Sequence, residues 1–305
     1  MQYRTLGKTG LKVSVVGIGT WQYGGEWGEE YSQNQVDAVM DAARDAGINL
    51  IDTAECYGDH LSESFVGKAI QKDREKWIVA TKFGHHYTDY LTRDQLWTVK
   101  DVKKQLEESL KSLRTDHIDV YQFHSGDNIV FDNQELWTYL DKQKQSGAIG
   151  HLGISISNSH EGVLEYQSEK ASVVGAEMLQ LYYNRLDRRP ESSAFEECRQ
   201  QNLGVFARVP LASGFLSGKY KPGTVFPEGD LRSRRSQEQI NSDLSEVQKI
   251  QKEEVPEGIS MAAWALAWCL RDPVVTTVIP GCRNPEQVKA NADASDLAGT
   301  LNFPG

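Results

Sequence analysis

The chain reads as an α/β protein built as a closed (β/α)8 barrel of the TIM-barrel type, with an amino-terminal hairpin and a long loop insertion after strand 7. Three observations predict this. Short β-rich runs alternate eight times with longer, mostly amphipathic segments, no Pro- or Ser-rich linker interrupts the cadence, and 305 residues suit one barrel, so residues 1–305 are expected to form a single domain. Eight such cycles favour a closed barrel over a doubly wound open sheet.

A hairpin is expected around Gly7 and Gly10. The strand candidates are then Ser14 to Gly17, Ile48 to Asp52, Trp77 to Lys82, Ile118 to His124, Leu152 to Ile156, Leu179 to Tyr183, Val205 to Val209, and Thr276 to Ile279. Helical periodicity falls between them, over Gln35 to Ala46, Ser62 to Ile70, Val99 to Leu113, Asn133 to Ser146 and Ser193 to Gln201. Gly47, Gly147 and Gly204 stand just past three of these helices, where a left-handed cap suits glycine. From Leu211 to Gln251 the segment is far longer than an ordinary βα loop. Its Gly, Lys and Arg content suits a clamp over phosphate groups; a plain surface insertion is the alternative.

Composition narrows the function class. The chain is 39% hydrophobic and 25% charged, with a formal net charge of -10. Phosphate-backbone binding needs clustered Lys and Arg, and the only dense basic stretch, Arg232 to Arg235, is short, so no nucleic-acid partner is expected. MQYRTLGKTG has no signal-peptide core, and the longest apolar run, Met261 to Leu270, is too short for a bilayer. No membrane partner and a cytoplasmic location are the expectation. The four cysteines, Cys56, Cys198, Cys269 and Cys282, form no CxxC pair and read as free thiols.

Asp52, Lys82 and His124 each end a strand-like run, and Tyr57 follows Asp52 closely. In a parallel barrel these ends meet on the rim where such folds place their chemistry. Tyrosine is a poor acid near neutrality, and a neighbouring ammonium makes it a better proton donor. Lys82 supplies that charge, Asp52 can pair with Lys82, and His124 can orient a substrate oxygen against Tyr57. The set suits protonation of a carbonyl oxygen as hydride reaches its carbon. Singly, each residue has a plainer role: turn former, packing, or solvated charge.

The stretch Asp52-Thr53-Ala54-Glu55-Cys56-Tyr57-Gly58 resembles the DTAxxYG signature of the aldo-keto reductase family. Ala80-Thr81-Lys82 is similar to that family's lysine strand and Ile118 to His124 to its histidine strand. Gly17 to Trp21, Gly153-Ile154-Ser155 and Ile279-Pro280-Gly281 are similar to its first, fifth and eighth strands, and the PEGDLR segment resembles bacterial members. The resemblance implies an NADP(H)-dependent oxidoreductase with Tyr57 as general acid, Lys82 tuning it, Asp52 supporting Lys82, and His124 orienting a small-molecule carbonyl. It places Gly19, Thr20, Trp21 and Asp52 at the cofactor, and Trp21, Tyr57 and His124 at the substrate. Ser155 and Gln180 match residues that hold the nicotinamide carboxamide. Leu211, Ser213, Gly214, Leu216, Gly218 and Lys219 match the segment over the pyrophosphate, and Gly281, Arg283, Gln287 and Asn291 match the group around the adenosine and its 2′-phosphate. Arg283 would favour NADPH over NADH. The glycines at 17, 19, 24 and 25 make no GxGxxG, consistent with a non-Rossmann cofactor pose.

Two positions depart from the family pattern. Arg208 stands where an aromatic residue commonly stacks on the nicotinamide. A guanidinium there would disfavour the cationic oxidised ring relative to the reduced one. After Ser155 the chain reads Ile156-Ser157-Asn158, so the family's asparagine contact stays unassigned. Aromatic residues are expected to rim the site: Trp21, Tyr23, Trp27 and Tyr31 after the first strand, then His85, His86, Tyr87 and Tyr90 after the third. With Asp89 as the only nearby carboxylate and no adjacent cysteine, His85 and His86 are not expected to bind metal. Asp127 suits either a polar substrate or a helix cap. Two other classes remain: a nicotinamide-binding regulatory subunit, and a metal-dependent hydrolase, for which only His124 and Asp52 stand at suitable strand ends. The physiological carbonyl and the oligomeric state stay open.

Overall fold

The computed structural model describes residues 1–158, 161–301 and 303. Eight parallel strands form the central sheet: β1 (Ile18–Gly19), β2 (Leu50–Asp52), β3 (Ile78–Phe83), β4 (Ile118–His124), β5 (Ile149–Ser155), β6 (Met178–Tyr182), β7 (Gly204–Arg208) and β8 (Thr277–Ile279). Each pairs with the next in order, and parallel bridges Val16 to Val278 and Gly19 to Gly281 join the last to the first. Gly17 N–H donates to Val278 O at 2.8 Å and Gly19 N–H to Pro280 O at 2.9 Å, closing a (β/α)8 barrel. A Cβ on Gly19 would stand 2.7 Å from Ile279 O, so closure itself requires glycine there.

Strand side chains alternate between two faces, and this alternation builds the site. Leu50, Ala80, Val120, Met178, Phe206 and Ile279 form an inner cluster, closed at the amino-terminal end by Leu6 and Val13 of the hairpin Tyr3–Thr5/Lys12–Ser14. Two residues further along the same inward rows come Asp52, Lys82, Gln122, Gln180 and Arg208; Ser155 follows Gly153 on its row. Apolar residues thus fill the floor and polar ones the mouth. The outward residues of the same strands, such as Ile51, Val79, Tyr121, Phe123, Leu179 and Val205, pack into the larger core beneath the helices. Helix Met261–Leu270 is almost wholly buried, which explains its unbroken apolar run.

The barrel, the hairpin and the post-strand-7 insertion agree with the expectation; several boundaries do not. Ser14 ends the hairpin rather than opening the first barrel strand, which begins at Ile18. Gly47 (φ +74°) and Gly147 (φ +85°) are left-handed caps, but Gly204 is not. Asn202 (φ +51°) makes that turn, and Gly204 starts β7 where a Cβ would meet Leu6 at 2.3 Å. The predicted helix over Ser193 to Gln201 is split into Arg189–Ser193 and Phe195–Gln200 at Ala194, with Pro190 opening the first part. A hairpin, His85–Asp89 with Thr92–Gln95, was not foreseen.

The insertion is ordered by packing rather than left as surface chain. Short turns at Ala212–Ser217 and Leu231–Arg234 lead into helix Gln237–Glu253. Arg232, nearly buried, pairs with Asp230 at 2.6 Å and lies 4.1 Å over the Phe226 ring. Among the described residues the cysteines are all buried and free, and no helix is long and apolar enough to cross a membrane.

Closure at Gly19 gives a direct test. Gly19→Ala should lower the unfolding free energy by about 1–3 kcal/mol, as overpacking against fixed backbone does. A shifted urea midpoint at unchanged slope would show it, and an unshifted midpoint would contradict it.

Candidate active site

The ends of β2, β3, β4 and β6 bring four polar side chains into one chain of contacts. Lys82 is fully buried, and its ammonium uses all three hydrogens: to Asp52 Oδ2 at 2.8 Å, Thr53 O at 2.6 Å and Tyr57 Oη at 3.2 Å. The other Asp52 oxygen accepts from Gln180 Nε2 at 2.7 Å and Gln122 Nε2 at 3.1 Å. Gln180 also donates to Gln122 Oε1 at 3.0 Å, while its own carbonyl accepts from Ser155 Oγ at 3.3 Å. His124 stands edge-on to Tyr57 with ring centroids 6.4 Å apart. The four candidate catalytic residues therefore converge as their strand-end positions imply.

Gln122 was not singled out from the sequence, although it is the polar interruption in the apolar run of β4 and its inward row leads to His124. Glu26 carried no local signal at all. It is buried, accepts from Trp21 Nε1 at 2.5 Å and pairs with Arg93 of the unforeseen hairpin. Trp21, so held, stacks against Tyr57 with centroids 6.1 Å apart. Gly24 and Gly58 permit this approach, since a Cβ on Gly24 would lie 2.6 Å from the Tyr57 carbonyl carbon. Tyr23, expected at the rim, is instead fully buried and donates to Cys282 O at 3.0 Å. Asp127 caps the turn Asn128–Phe131 through Ile129 N–H and Val130 N–H.

Electrostatics in the mouth separate the groups. Burial works against charge on Lys82, but Asp52 and Tyr57 outweigh it and hold the ammonium above its ordinary pKa. Burial pushes the Tyr57 phenol up to about 12; Lys82 pulls it down and Asp52 pushes it up, so the pull of Lys82 does not overcome desolvation. Burial, then His85, Lys82 and Arg208, drive His124 well below the ordinary histidine range, leaving a neutral imidazole. Its Nδ1 lies 3.8 Å from Cys56 Sγ.

The candidate cofactor residues divide by contact. Ser155 and Gln180 are buried beside Asp52. Thr20 is fixed by its hydroxyl bond to Asp52 O at 3.0 Å, and Gly19 by barrel closure. Arg208 reaches Ile156 O at 3.0 Å and lies 5.4 Å over the Tyr182 ring, while its Nε is buried without a hydrogen-bond partner. After β7 the backbone turns left-handed at Val209, Ala212, Ser213 and Gly214, a concave run of the sort that gathers N–H groups around an anion. Leu211 O accepts from Gly214 N–H and Leu216 N–H within this turn, Leu216 is buried beneath it, Gly218 (φ +76°) ends it, and Lys219 is exposed.

On the far side Gly281 and Gln287 are exposed, and Gln287 Oε1 accepts from Arg283 N–H at 2.8 Å. Arg283 is clipped to Glu29 at 2.6 Å. Asn291 is buried and committed to Cys282 Sγ, so its contact supports the loop from beneath.

Comparison with known proteins agrees with this geometry. The Aldo/keto reductase family model matches residues 15–301. The chain is 32% identical to "Uncharacterized oxidoreductase YrpG" of Bacillus subtilis, over 98% of this chain and 92% of that one. It is 28% identical to a "Probable voltage-gated potassium channel subunit beta" of Oryza sativa subsp. japonica, over 99% and 93%. Among solved structures, "aldo-keto reductase AKR11C1 from Bacillus halodurans (holo form)" superposes with a TM-score of 0.80 at 28% identity, covering 100% of this chain and 93% of that one. With the family model spanning the barrel from its first strand to past its last helix, this chain belongs to the aldo/keto reductase family, a family of carbonyl oxidoreductases.

Proposed function

We propose that the protein reduces aldehydes or ketones to alcohols with NADPH, reversibly, using Tyr57 as the proton donor. The observation that carries this is the buried chain Asp52–Lys82–Tyr57 opening beside His124. Lys82 donates to Tyr57 Oη, so the phenol's own hydrogen is free to point at a substrate oxygen. The ammonium also faces the tyrosinate that proton transfer leaves behind, which lowers the cost of that step. The neutral His124 ring, in the tautomer that carries its proton on Nε2 and leaves Nδ1 to face the Cys56 thiol, can donate that proton to the same carbonyl oxygen. Trp21, stacked on Tyr57, would form the apolar wall of the substrate pocket and keep water from the phenol.

The residues fit a nicotinamide cofactor: the orphaned Arg208 Nε and the left-handed run after β7 offer polar groups to one, while Ser155 and Gln180, bonded to each other and, through Gln180, to Asp52 and Gln122, would have to exchange one of those bonds to hold its carboxamide. When bound it would supply the hydride. Arg283 is the group that would favour a 2′-phosphate, and doing so means drawing it from Glu29. A second reading, a cofactor-binding regulatory subunit with little turnover, is favoured by three relatives named as potassium channel beta subunits, and by no feature of the site itself. Repeated turnover of NADPH with an aldehyde or ketone substrate would exclude it.

Tyr57→Phe should lower NADPH-dependent carbonyl reduction by about 10²–10⁴-fold, the usual worth of a positioned general acid. Native turnover in that variant would overturn the assignment. Arg208→Tyr should strengthen NADP⁺ binding relative to NADPH, because removing the guanidinium removes a penalty on the cationic ring. Fluorescence titration of both cofactor forms measures the ratio, and an unchanged ratio would contradict a charge effect.

A further inference from the structure

Cys56, His85 and His124 lie far apart in the sequence, yet one ligand atom from each falls within 4.8 Å of the other two, the one such group found among the described residues. Three neighbouring segments of the rim deliver them: the turn after β2, the hairpin after β3 and the end of β4. Cys56 Sγ is 3.8 Å from His124 Nδ1, close to the S-to-N edge of about 3.6 Å that a tetrahedral zinc site has, given Zn–S near 2.3 Å and Zn–N near 2.0–2.1 Å. The His85 ring stacks on that of His124 at 4.6 Å, and its backbone N–H donates to the buried Glu55 at 3.0 Å, which fixes where the ring starts. Its Nε2 is buried and has no hydrogen-bond partner.

We propose that Cys56, His85 and His124 bind one borderline-soft divalent cation of the zinc class, and that the ion, held at Nδ1 beside Cys56, reversibly inhibits the enzyme by drawing the His124 ring and its Nε2–H out of line with the substrate oxygen. Two neutral imidazoles and a thiol are the donors such ions prefer, whereas magnesium and calcium seek oxygen. On binding, the Cys56 S–H bond breaks, its proton leaves to solvent, and an S–metal bond forms with no change of oxidation state. Three protein ligands leave a fourth position for water. Lys82, Arg93 and Arg208, the cations facing His124, oppose the incoming charge, so affinity depends on the thiolate bond. Packing alone would account for the stacked rings but gives no reason for the thiol and both imidazoles to converge.

Binding is measured without turnover; only the inhibition rests on the proposed carbonyl reduction. The full-length protein, stripped with a chelator, is titrated with Co²⁺ by absorption and with Zn²⁺ by calorimetry. The expected result is one ion per chain and a thiolate-to-cobalt charge-transfer band that zinc abolishes. Cys56→Ser should remove the band, and His85→Gln should weaken zinc binding at least tenfold. Circular dichroism checks that both variants fold, and His85→Gln carries the test if Cys56→Ser does not. No stoichiometric binding, a band that survives in Cys56→Ser, or unchanged zinc affinity in His85→Gln would overturn the site. Zinc bound with these signatures but without effect on NADPH turnover would overturn the inhibition while leaving the site standing.

Discussion

The rest of the candidate active site hangs on one buried ion pair, Asp52 with Lys82, set at the mouth of a barrel whose floor is apolar. Two charges taken out of water are costly unless their remaining hydrogen-bonding capacity is met. Here it is met. Lys82 spends its other hydrogens on Thr53 O and Tyr57 Oη, and Asp52 accepts from Gln180 and Gln122. The pair therefore ties together strands β2, β3, β4 and β6 and fixes the ammonium that donates to Tyr57. Removing either partner would leave an unpaired charge at a cost of about 3–5 kcal/mol, so stability and chemistry are coupled at this point.

The barrel was legible because strand periodicity is local. In runs such as Ile118 to His124 the apolar residues alternate between floor and helix layer, and the final polar residue reports the rim. The same rule finds Asp52 and Lys82. Ser14 misled because a hairpin strand and a barrel strand follow one another with no turn signal, and Gly204 because its glycine serves a close approach to Leu6 rather than a left-handed cap. Tyr23 misled because an aromatic residue in a rim loop can turn inward, and nothing in its neighbours says which way.

Contacts that join distant loops were not legible at all. Glu26 meets Arg93, Glu29 meets Arg283, and Cys56 comes beside His124 with His85 close by, each across an interval with no periodic signal. These are contacts of the rim, where loop conformation decides the partners. They divide the site by origin: the ion pair belongs to the strands, while the walls and the groups suited to a cofactor belong to loops that pack on one another.

In the proposed reaction Lys82 acts on Tyr57 during proton transfer. The most direct test of this role is the single-turnover rate of NADPH oxidation in Lys82→Met, with NADPH affinity measured separately by fluorescence. A rate lowered by at least about a hundredfold, with cofactor affinity near native, is the predicted result. A rate within tenfold of native would mean that Lys82 has no such role.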